Sequence, residues 1–318
     1  MKDLNLGEKT TRIAEAALIT TFMTLIIILG YNMFPIIILF YPVPFIILGV
    51  RNNTKYSIYS ILASSILIGI LIDIFTGILA FLVFGLFSIV MAYMINKKYR
   101  PQQVLIGGIL ASVVTTIIAI VIIGYLTGIS FLSEINTALM ENVKLQLDML
   151  EQMEISSYEF SMVKDVLLAT VNYIIIIIPA TIIIFSIFIV YMNYWMSTAI
   201  LRRLGNKSIE VPKFMHFRLP NNAVMGSALI LILALLFRTM KILYYETIFI
   251  NTVILISFVF FIQGLSVLVF LMNKKNMHKV PKIILIFLII ISVPLGLIVS
   301  IIGFVDAAVD FRKLKRKE

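Results

Sequence analysis

The chain has 318 residues, of which 61% are hydrophobic and 13% are charged, and its mean hydropathy is +1.08. Soluble domains are about half apolar, so this composition excludes an ordinary soluble protein and predicts an all-α, polytopic membrane protein in a lipid bilayer. The net charge of +10 falls in short basic patches between apolar segments. Membrane orientation explains such patches, so we expect no nucleic-acid partner. The chain has no cysteine, which excludes disulfides and thiolate metal sites.

Nine apolar segments follow one another along the chain, and the longest are free of charge over roughly the 20 residues that cross a bilayer core. We therefore expect about nine transmembrane helices, within a range of eight to ten. The segments are residues 13–31, 34–50, 56–74, 76–96, 103–127, 166–197, 222–238, 246–273 and 281–305.

Clusters of lysine and arginine predict the orientation of these segments, because such residues favour the cytoplasmic side. Basic clusters precede segment one and follow segments two, four, six and eight. With the N-terminus in the cytoplasm, all five clusters fall on that side. The ninth segment contains Pro294 and Gly296 and leads into the basic tail 311–318. Either a hairpin broken at Pro294 returns this tail to the cytoplasm, or one long tilted helix leaves it outside.

Composition divides the chain into a six-segment unit (1–200), a basic cytoplasmic connector (201–221) and a C-terminal membrane bundle (222–318). An acidic stretch at about 129–165 interrupts the first unit. Its apolar residues recur every three or four positions, which predicts an amphipathic helix, on the extracellular side by the same orientation. It is either a lid over the extracellular mouth or a hairpin that only connects two segments. The apolar positions are Ile135, Leu139, Val143, Leu147 and Leu150.

The second segment contains three prolines, Pro35, Pro42 and Pro44. Proline lacks an N–H donor and disrupts a helix, and irregular backbone inside a membrane is tolerated only where protein or a cavity satisfies it. We therefore predict a crossing broken near Tyr41–Pro44, packed inside the bundle, with Tyr41 facing an interior space. The residues whose carbonyls would lose their donors are Ile38 and Phe40.

Polar residues within apolar segments are candidate binding residues, because burying them is costly. The candidate substrate-binding residues are Tyr41, Pro42, Pro44, Asp73 and Asn172. For Asp73 the alternative is a solvated carboxylate at the outer end of its helix. Asn172, Asn193 and Gln263 are explained equally well by hydrogen bonds between helices. We expect Asp306 and Asp310 to form local ion pairs with Arg312 near the membrane surface.

Small residues at helical spacing predict close helix packing or contact with a partner. These residues are Ala14, Ala16, Ala17, Ser65, Gly69, Gly107 and Gly108. The chain has no phosphate-binding loop and no HExxH motif. We therefore expect no ATPase activity, no metal, no cofactor, no catalytic residue and no enzyme.

Three stretches carry a resemblance to a known family: "TTRIAEAALITTFMTL", the run that begins "FYPVPFIILGVRNNTKYSIYSILASSILIGILIDIFTG", and the ending "GFVDAAVDFRKLKRK". The chain resembles the YybS-like family of bacterial membrane proteins, found mainly in Firmicutes. This resemblance spans nearly the whole chain and implies a multi-pass protein of the bacterial cell membrane.

The first six segments are also similar to the S components, the substrate-binding subunits, of energy-coupling-factor vitamin transporters. In that family a small-residue face of the first helix, spaced AxxxA, contacts a coupling subunit. Here the corresponding residues are Ala14, Ala16 and Ala17, whose spacing differs. The resemblance favours small-molecule transport, or substrate binding for transport, without an ATPase of its own. The alternative is a structural or regulatory scaffold that binds other membrane proteins, and an enzyme acting on lipid has the least support.

Overall fold

The computed structural model describes residues 2–153, 156–206, 213–240 and 243–312. Nearly all of these residues are helical and none of them lies in a β-strand, so the predicted all-α class is confirmed. They form two compact units: unit 1 contains residues 1–138 and 185–211, and unit 2 contains residues 139–184 and 212–318. Part of the predicted basic connector, 207–212, and most of the basic tail, 313–318, lie outside the described residues.

Unit 1 contains six complete helices. They are α1 (Lys2–Asn32), α2 (Pro42–Arg51), α3 (Thr54–Leu71), α4 (Ile74–Leu79), α5 (Leu86–Asn96) and α6 (Pro101–Thr127). A 3₁₀ helix, Pro35–Phe40, leads into α2, and a π-helical turn, Ala80–Gly85, joins α4 to α5. Two long helices, α7 (Phe131–Glu151) and α8 (Ser157–Arg203), contribute part of their length to each unit.

Unit 2 contains four further helices and one short 3₁₀ turn. They are the turn Phe214–His216 and the helices α9 (Ala223–Thr239), α10 (Tyr245–Lys274), α11 (Lys279–Ile291) and α12 (Val293–Val309). The nine predicted apolar segments are helical, and the second, fourth and ninth each contain more than one helical element. Among the described residues, six helices are long and apolar enough to cross a membrane, and α11 with α12 forms a sharply bent pair, which is either a broken span or a re-entrant loop. The stretches Pro35–Arg51 and Ala223–Thr239 are shorter apolar helices.

The core of unit 1 forms around α2, whose two sides pack into two different clusters of buried residues. Tyr41 and Phe45 pack with Met23 and Ile27 of α1 and with residues of α3. Ile46 packs on the other side, in the second cluster. That cluster consists of Ile46, Phe87, Met91, Val104, Ile189, Val190 and Tyr194. The part of the proline-rich segment from Tyr41 onwards therefore lies at the centre of unit 1.

Hydroxyl groups join α1 to α3 along the length of their contact. The Thr20 and Ser60 hydroxyls lie 2.6 Å apart, and those of Thr24 and Ser64 lie 3.0 Å apart. Ser60 also donates to the carbonyl of Ala16 at 3.0 Å. A spacing of four places these residues on one face of each helix, and small polar residues let membrane helices approach and hydrogen-bond. All of these hydroxyls are buried.

The five apolar positions predicted for the amphipathic helix are the least exposed residues of α7. Val143 is buried and the other four are half-buried. The remaining residues of this helix, among them all of its charged side chains, are exposed. The helix thus presents one apolar stripe at the spacing read from the sequence. Its extracellular position stays a prediction.

The tightest contact in unit 2 is the crossing of α10 and α12 at Gly264 and Gly303. A methyl group on Gly303 would lie 1.9 Å from the carbonyl oxygen of Phe260 and 2.5 Å from the backbone nitrogen of Gly264. Both distances are far below van der Waals contact, so the two backbones touch directly. Glycine is the residue that permits such an approach.

The helices α10 and α12 run in the same direction. Ser300 donates to the carbonyl of Ser257, and Asp306, further along α12, accepts from Gln263, further along α10. The ninth predicted segment is broken at Ser292, two residues before Pro294, and α11 and α12 meet there at 102°. The broken form is therefore the one observed. Since α10 ends at Lys274 on the predicted cytoplasmic side, α12 also ends on that side.

Replacing Gly303 with alanine should destabilise unit 2, because the added methyl group forces two backbones apart. Overpacking of this kind costs about 1–3 kcal/mol. Gly226→Ala is the matched control, since Gly226 is helical and has open space around it. Thermal unfolding in detergent should show a clear loss for Gly303→Ala and none for Gly226→Ala. Equal stability of the two variants would contradict the close crossing.

Candidate functional site

The proline-rich segment changes helix type at Tyr41, where the 3₁₀ helix ends and α2 begins. Pro42 follows directly and cannot donate a backbone hydrogen bond. The carbonyl of Ile38 nevertheless has a partner, because the N–H of Tyr41 donates to it at 3.0 Å. The prediction of a free carbonyl at Ile38 is therefore wrong. A 3₁₀ bond spans three residues and not four, so Tyr41 replaces Pro42 as the donor.

In a 3₁₀ helix, the carbonyl of Leu39 would accept from the residue three positions later, which is Pro42. Since proline has no N–H, the Leu39 carbonyl is the group that loses its donor. Asn193 of α8 fills this gap, since its side-chain amide donates to the Leu39 carbonyl at 3.0 Å. Ser57 of α3 donates in the same way to the carbonyl of Phe45 at 2.8 Å. Neighbouring helices thus satisfy the backbone around the prolines with their own side chains. For Asn193, the hydrogen bond between helices is present.

The Tyr41 side chain is completely buried. Its ring meets the rings of Phe45 and Phe84 edge-on, with centroids 4.8 Å and 6.3 Å away. Its hydroxyl has no hydrogen-bond partner among the described residues. The hydroxyls of Ser64 and Ser65 are close enough to interact with it. The Tyr41 hydroxyl therefore lies in the apolar core with serine hydroxyls as polar neighbours, at distances or angles outside ordinary hydrogen-bond geometry.

Three buried side-chain polar atoms in the described part of the chain lack a partner. They are the Tyr41 hydroxyl, the Ser65 hydroxyl and the side-chain oxygen of Asn193. The hydroxyl of Ser65 is near that of Tyr41. Asn193 contacts the same proline-rich segment at a different point, the carbonyl of Leu39. Buried polar atoms without partners are uncommon and costly. We call this set the break cluster.

Asp73 lies between α3 and α4 and caps the first turn of α4. Its carboxylate accepts from the Thr76 N–H at 2.9 Å and also from the Thr76 hydroxyl. The hydroxyl and then the N–H of Thr76 hold the pKa of Asp73 below its usual value, because both bonds favour the ionised form. The Asp73 carboxylate is thus engaged within its own helix.

Pro42 is buried and Pro44 is half-buried, both beside Tyr41, whereas Asn172 is an exposed residue of α8 within unit 2. Asn172 therefore belongs to no buried site of its unit.

The residue that sequence analysis missed in unit 2 is Asn251, which is buried on α10. The sequence feature that could have indicated it is Pro179, which lies inside the longest apolar run. A proline inside a helix leaves backbone groups without partners, so a polar side chain is needed nearby.

Asn251 repairs the hydrogen-bond ladder of α8 at Pro179. The N–H of Ala180 donates to the Asn251 side-chain oxygen at 2.7 Å, and the Asn251 amide donates to the carbonyl of Ile176 at 2.7 Å. Ile176 and Ala180 are the pair that would bond directly in a regular helix. The asparagine side chain is inserted between them and satisfies both groups.

A buried ion pair lies beside the other irregular stretch of unit 2, the residues before α9. Arg312 and Asp306 are 6% and 4% exposed, and their side chains approach to 2.9 Å. The expected local pair between Asp306 and Arg312 forms, and it is buried within unit 2. Arg312 also donates to the carbonyls of Met215 and Phe217, at 2.9 Å and 2.8 Å. Gln263 donates to the Asp306 carboxylate at 2.6 Å.

This network ties three segments of unit 2 together. Gln263 also accepts from the N–H of Leu219 at 3.1 Å, and Ser266 donates to the carbonyl of Phe214 at 2.7 Å. Arg312 thus bonds to the end of α12, to the helix α10 and to the stretch before α9. Buried charges are stable only when they are paired and fully hydrogen-bonded, and this pair meets that condition.

The small residues predicted for packing have different surroundings. Ala16 is buried, while Ala14 and Ala17 on the same helix are exposed. Gly69 and Ser65 of α3 pack closely on Gly77 of α4. Two further glycines of α6 lie against side chains of neighbouring helices. They are Gly107, beside Met94, and Gly108, beside Met91 and Val190.

A second candidate site in unit 1 is an open cleft of about 630 Å³, which lies where α2 and α5 end and where α3 begins. Its lining includes three cationic side chains, those of Arg51, Lys55 and Lys97, together with asparagine and threonine side chains. By the predicted orientation, these helix ends face the cytoplasm.

The family whose description reads "Predicted membrane protein (DUF2232)" matches residues 18–307. This match covers most of the chain, so the chain belongs to that family. It is also similar to "Uncharacterized protein YybS" of Bacillus subtilis (strain 168), with 23% identity over 314 residues that cover 96% of this chain and 97% of the relative. No solved structure matches the chain. The YybS-like resemblance and the multi-pass membrane localisation are thereby confirmed.

Replacing Asn193 with leucine should destabilise unit 1, because it leaves the Leu39 carbonyl buried without a donor. An unsatisfied buried group of this kind costs about 1–3 kcal/mol. Asn172→Leu is the control, since this asparagine is exposed. Chemical unfolding in detergent should separate the two variants. A loss as large for Asn172→Leu as for Asn193→Leu would show that the Leu39 bond is unimportant.

Asp73 should make stability depend on pH in the acid range. Since its pKa is lowered in the folded protein, its contribution is present above the unfolded value of about 3.9 and is lost as pH falls through the folded value. Thermal unfolding at pH 6 and pH 3 should show a smaller acid loss for Asp73→Asn than for the wild type. Thr76→Val, which removes the main cause, should also reduce it. An acid loss unchanged in both variants would contradict this assignment.

Proposed function

We propose that this member of the DUF2232 family binds a small solute inside unit 1 and takes part in its transport across the bacterial membrane, without an ATPase of its own. The observation that carries the proposal is the break cluster, in which three buried polar atoms lack partners beside a proline-rich segment that changes from a 3₁₀ helix to an α-helix. Broken helices in transporters commonly border the substrate site. The proposal includes no catalytic step.

The break cluster is suited to a neutral polar ligand. A tyrosine or serine hydroxyl can donate or accept a hydrogen bond, and the asparagine side-chain oxygen accepts. None of these groups is charged, and the rings of Phe45 and Phe84 supply an apolar wall next to Tyr41. Ligand sites of this kind combine apolar walls with a few precisely placed polar groups.

Access to the cluster requires movement, because Tyr41 and Asn193 are completely buried. The described conformation is thus closed around the site. The 3₁₀ segment Pro35–Phe40 is the best candidate for the moving part. All of its residues are exposed or half-buried, and its two ends adjoin the turn after α1 and Tyr41.

The second candidate function is a scaffold that binds another membrane protein, such as a coupling subunit. Ala14 and Ala17 favour it, because both are exposed near the predicted cytoplasmic end of α1 and small residues allow close approach of a partner helix. Co-purification in mild detergent tests this candidate. A partner lost from an Ala14→Leu, Ala17→Leu variant would support it, and the same recovery from wild type and variant would contradict it.

Ligand-induced stabilisation tests binding at the break cluster. The purified protein, in nanodiscs, would be heated with a panel of vitamins and neutral metabolites. A ligand should raise the unfolding temperature of the wild type but not of Tyr41→Phe, which loses only an unpaired hydroxyl and should fold as well as the wild type. Tyr125→Phe is the matched control, since Tyr125 is 88% exposed. A panel without effect, or an equal response of Tyr41→Phe, would contradict the proposal.

Uptake into proteoliposomes separates transport from binding alone. A radiolabelled ligand found by stabilisation should accumulate inside vesicles that contain wild-type protein, alone or with a coupling subunit. Vesicles with Tyr41→Phe should show background uptake. Binding without uptake under both conditions would leave a receptor or scaffold as the function.

A further inference from the structure

The open cleft at the ends of α2, α3 and α5 concentrates positive charge in one concavity. Arg51 ends α2, Lys55 lies in the first turn of α3, and Lys97 follows α5. All three line the same volume of about 630 Å³, and none of its lining residues is acidic. Three cations from three helix ends around one cleft produce a positive potential that attracts anions.

The neutral lining residues are held in place by hydrogen bonds. Asn96 donates to the carbonyl of Gly49 at 2.7 Å and to the Thr54 hydroxyl at 3.3 Å. Asn53 accepts from the backbone N–H of Lys55 at 3.2 Å and so caps α3. These bonds fix the ends of α2, α3 and α5 relative to one another. Hydrogen bonds therefore hold the backbone and the asparagine side chains that line the cleft.

One acidic residue outside the cleft positions its arginine. Glu15 of α1 accepts from Arg51 at 2.8 Å and from Asn52 at 2.8 Å through its two carboxylate oxygens. The bond to Arg51 uses one terminal nitrogen of a guanidinium group that has five N–H donors. Glu15 thus restrains the guanidinium and leaves most of its donors available.

We propose that this cleft binds a phosphate-bearing anion. Phosphate oxygens match the several donors of arginine and the point charges of lysine. The anion is either the headgroup of an anionic lipid or a soluble phosphate compound, since both present the same chemistry. The site is separate from the break cluster and does not depend on transport.

The simpler explanation is that cytoplasmic ends of membrane proteins are basic in any case. The matched control for this explanation is the pair Lys274 and Lys275, which lie at the end of α10 on the predicted cytoplasmic side. These lysines supply the same charge on the same side and do not line the cleft. A specific site must respond to removal of Lys55 and Lys97 and not to removal of this pair.

The test uses the full chain in two arms. In the first arm, protein in phosphatidylcholine nanodiscs is titrated with inorganic phosphate against chloride at equal ionic strength, and its unfolding temperature is measured. In the second arm, protein is extracted from vesicles of phosphatidylcholine and phosphatidylglycerol, and the retained lipid is counted by native mass spectrometry. The variants are Lys55→Gln with Lys97→Gln, and Lys274→Gln with Lys275→Gln.

Removal of the two cleft lysines should weaken binding about 30-fold, from the usual contribution of a lysine near an anionic surface. The control variant should bind like the wild type, and Tyr41→Phe should leave phosphate binding unchanged. A response in the phosphate arm identifies a soluble compound, and a response in the lipid arm alone identifies a headgroup. Absence of binding in both arms, or equal weakening in both double variants, would overturn the proposal.

Discussion

Backbone hydrogen bonding in a medium without water is the constraint on which this structure depends. Each N–H and carbonyl group inside a bilayer must find a partner within the protein. Among the irregular places of the described residues are the prolines before α2, Pro179 within α8, and the stretch before α9. At each of these three places a polar side chain from another part of the same unit donates or accepts the hydrogen bonds. Those side chains are Asn193, Asn251 and Arg312.

The three side chains differ in how completely their own polar groups are hydrogen-bonded. Asn251 satisfies both groups at its break, and Arg312 binds a carboxylate, two carbonyls and a hydroxyl. Asn193 uses its amide but leaves its oxygen without a partner. In unit 2 the side chains at the irregular places are fully hydrogen-bonded. In unit 1 buried polar atoms near Tyr41 lack hydrogen-bond partners. This contrast is the physical reason for assigning ligand binding to unit 1.

Features governed by local periodicity could be predicted from the sequence. The apolar segments, the apolar stripe of α7, the break of the ninth segment and the irregularity near Tyr41 all follow from composition, spacing and proline. Features that depend on which helices become neighbours could not be predicted. The free carbonyl was expected at Ile38, because the 3₁₀ geometry was unknown. Asn172 was favoured over Asn251, because only the packing of α10 on α8 shows which asparagine meets Pro179.

The buried pair of unit 2 also sets an order of assembly. The carbonyl of Met215 is made 97 residues before Arg312, its eventual donor. At ordinary synthesis rates this separation amounts to roughly 5 to 20 s. During that interval the carbonyls of Met215 and Phe217 lack the guanidinium group that they bind in the folded unit. The network around Arg312 can therefore form only after the end of α12 has been made.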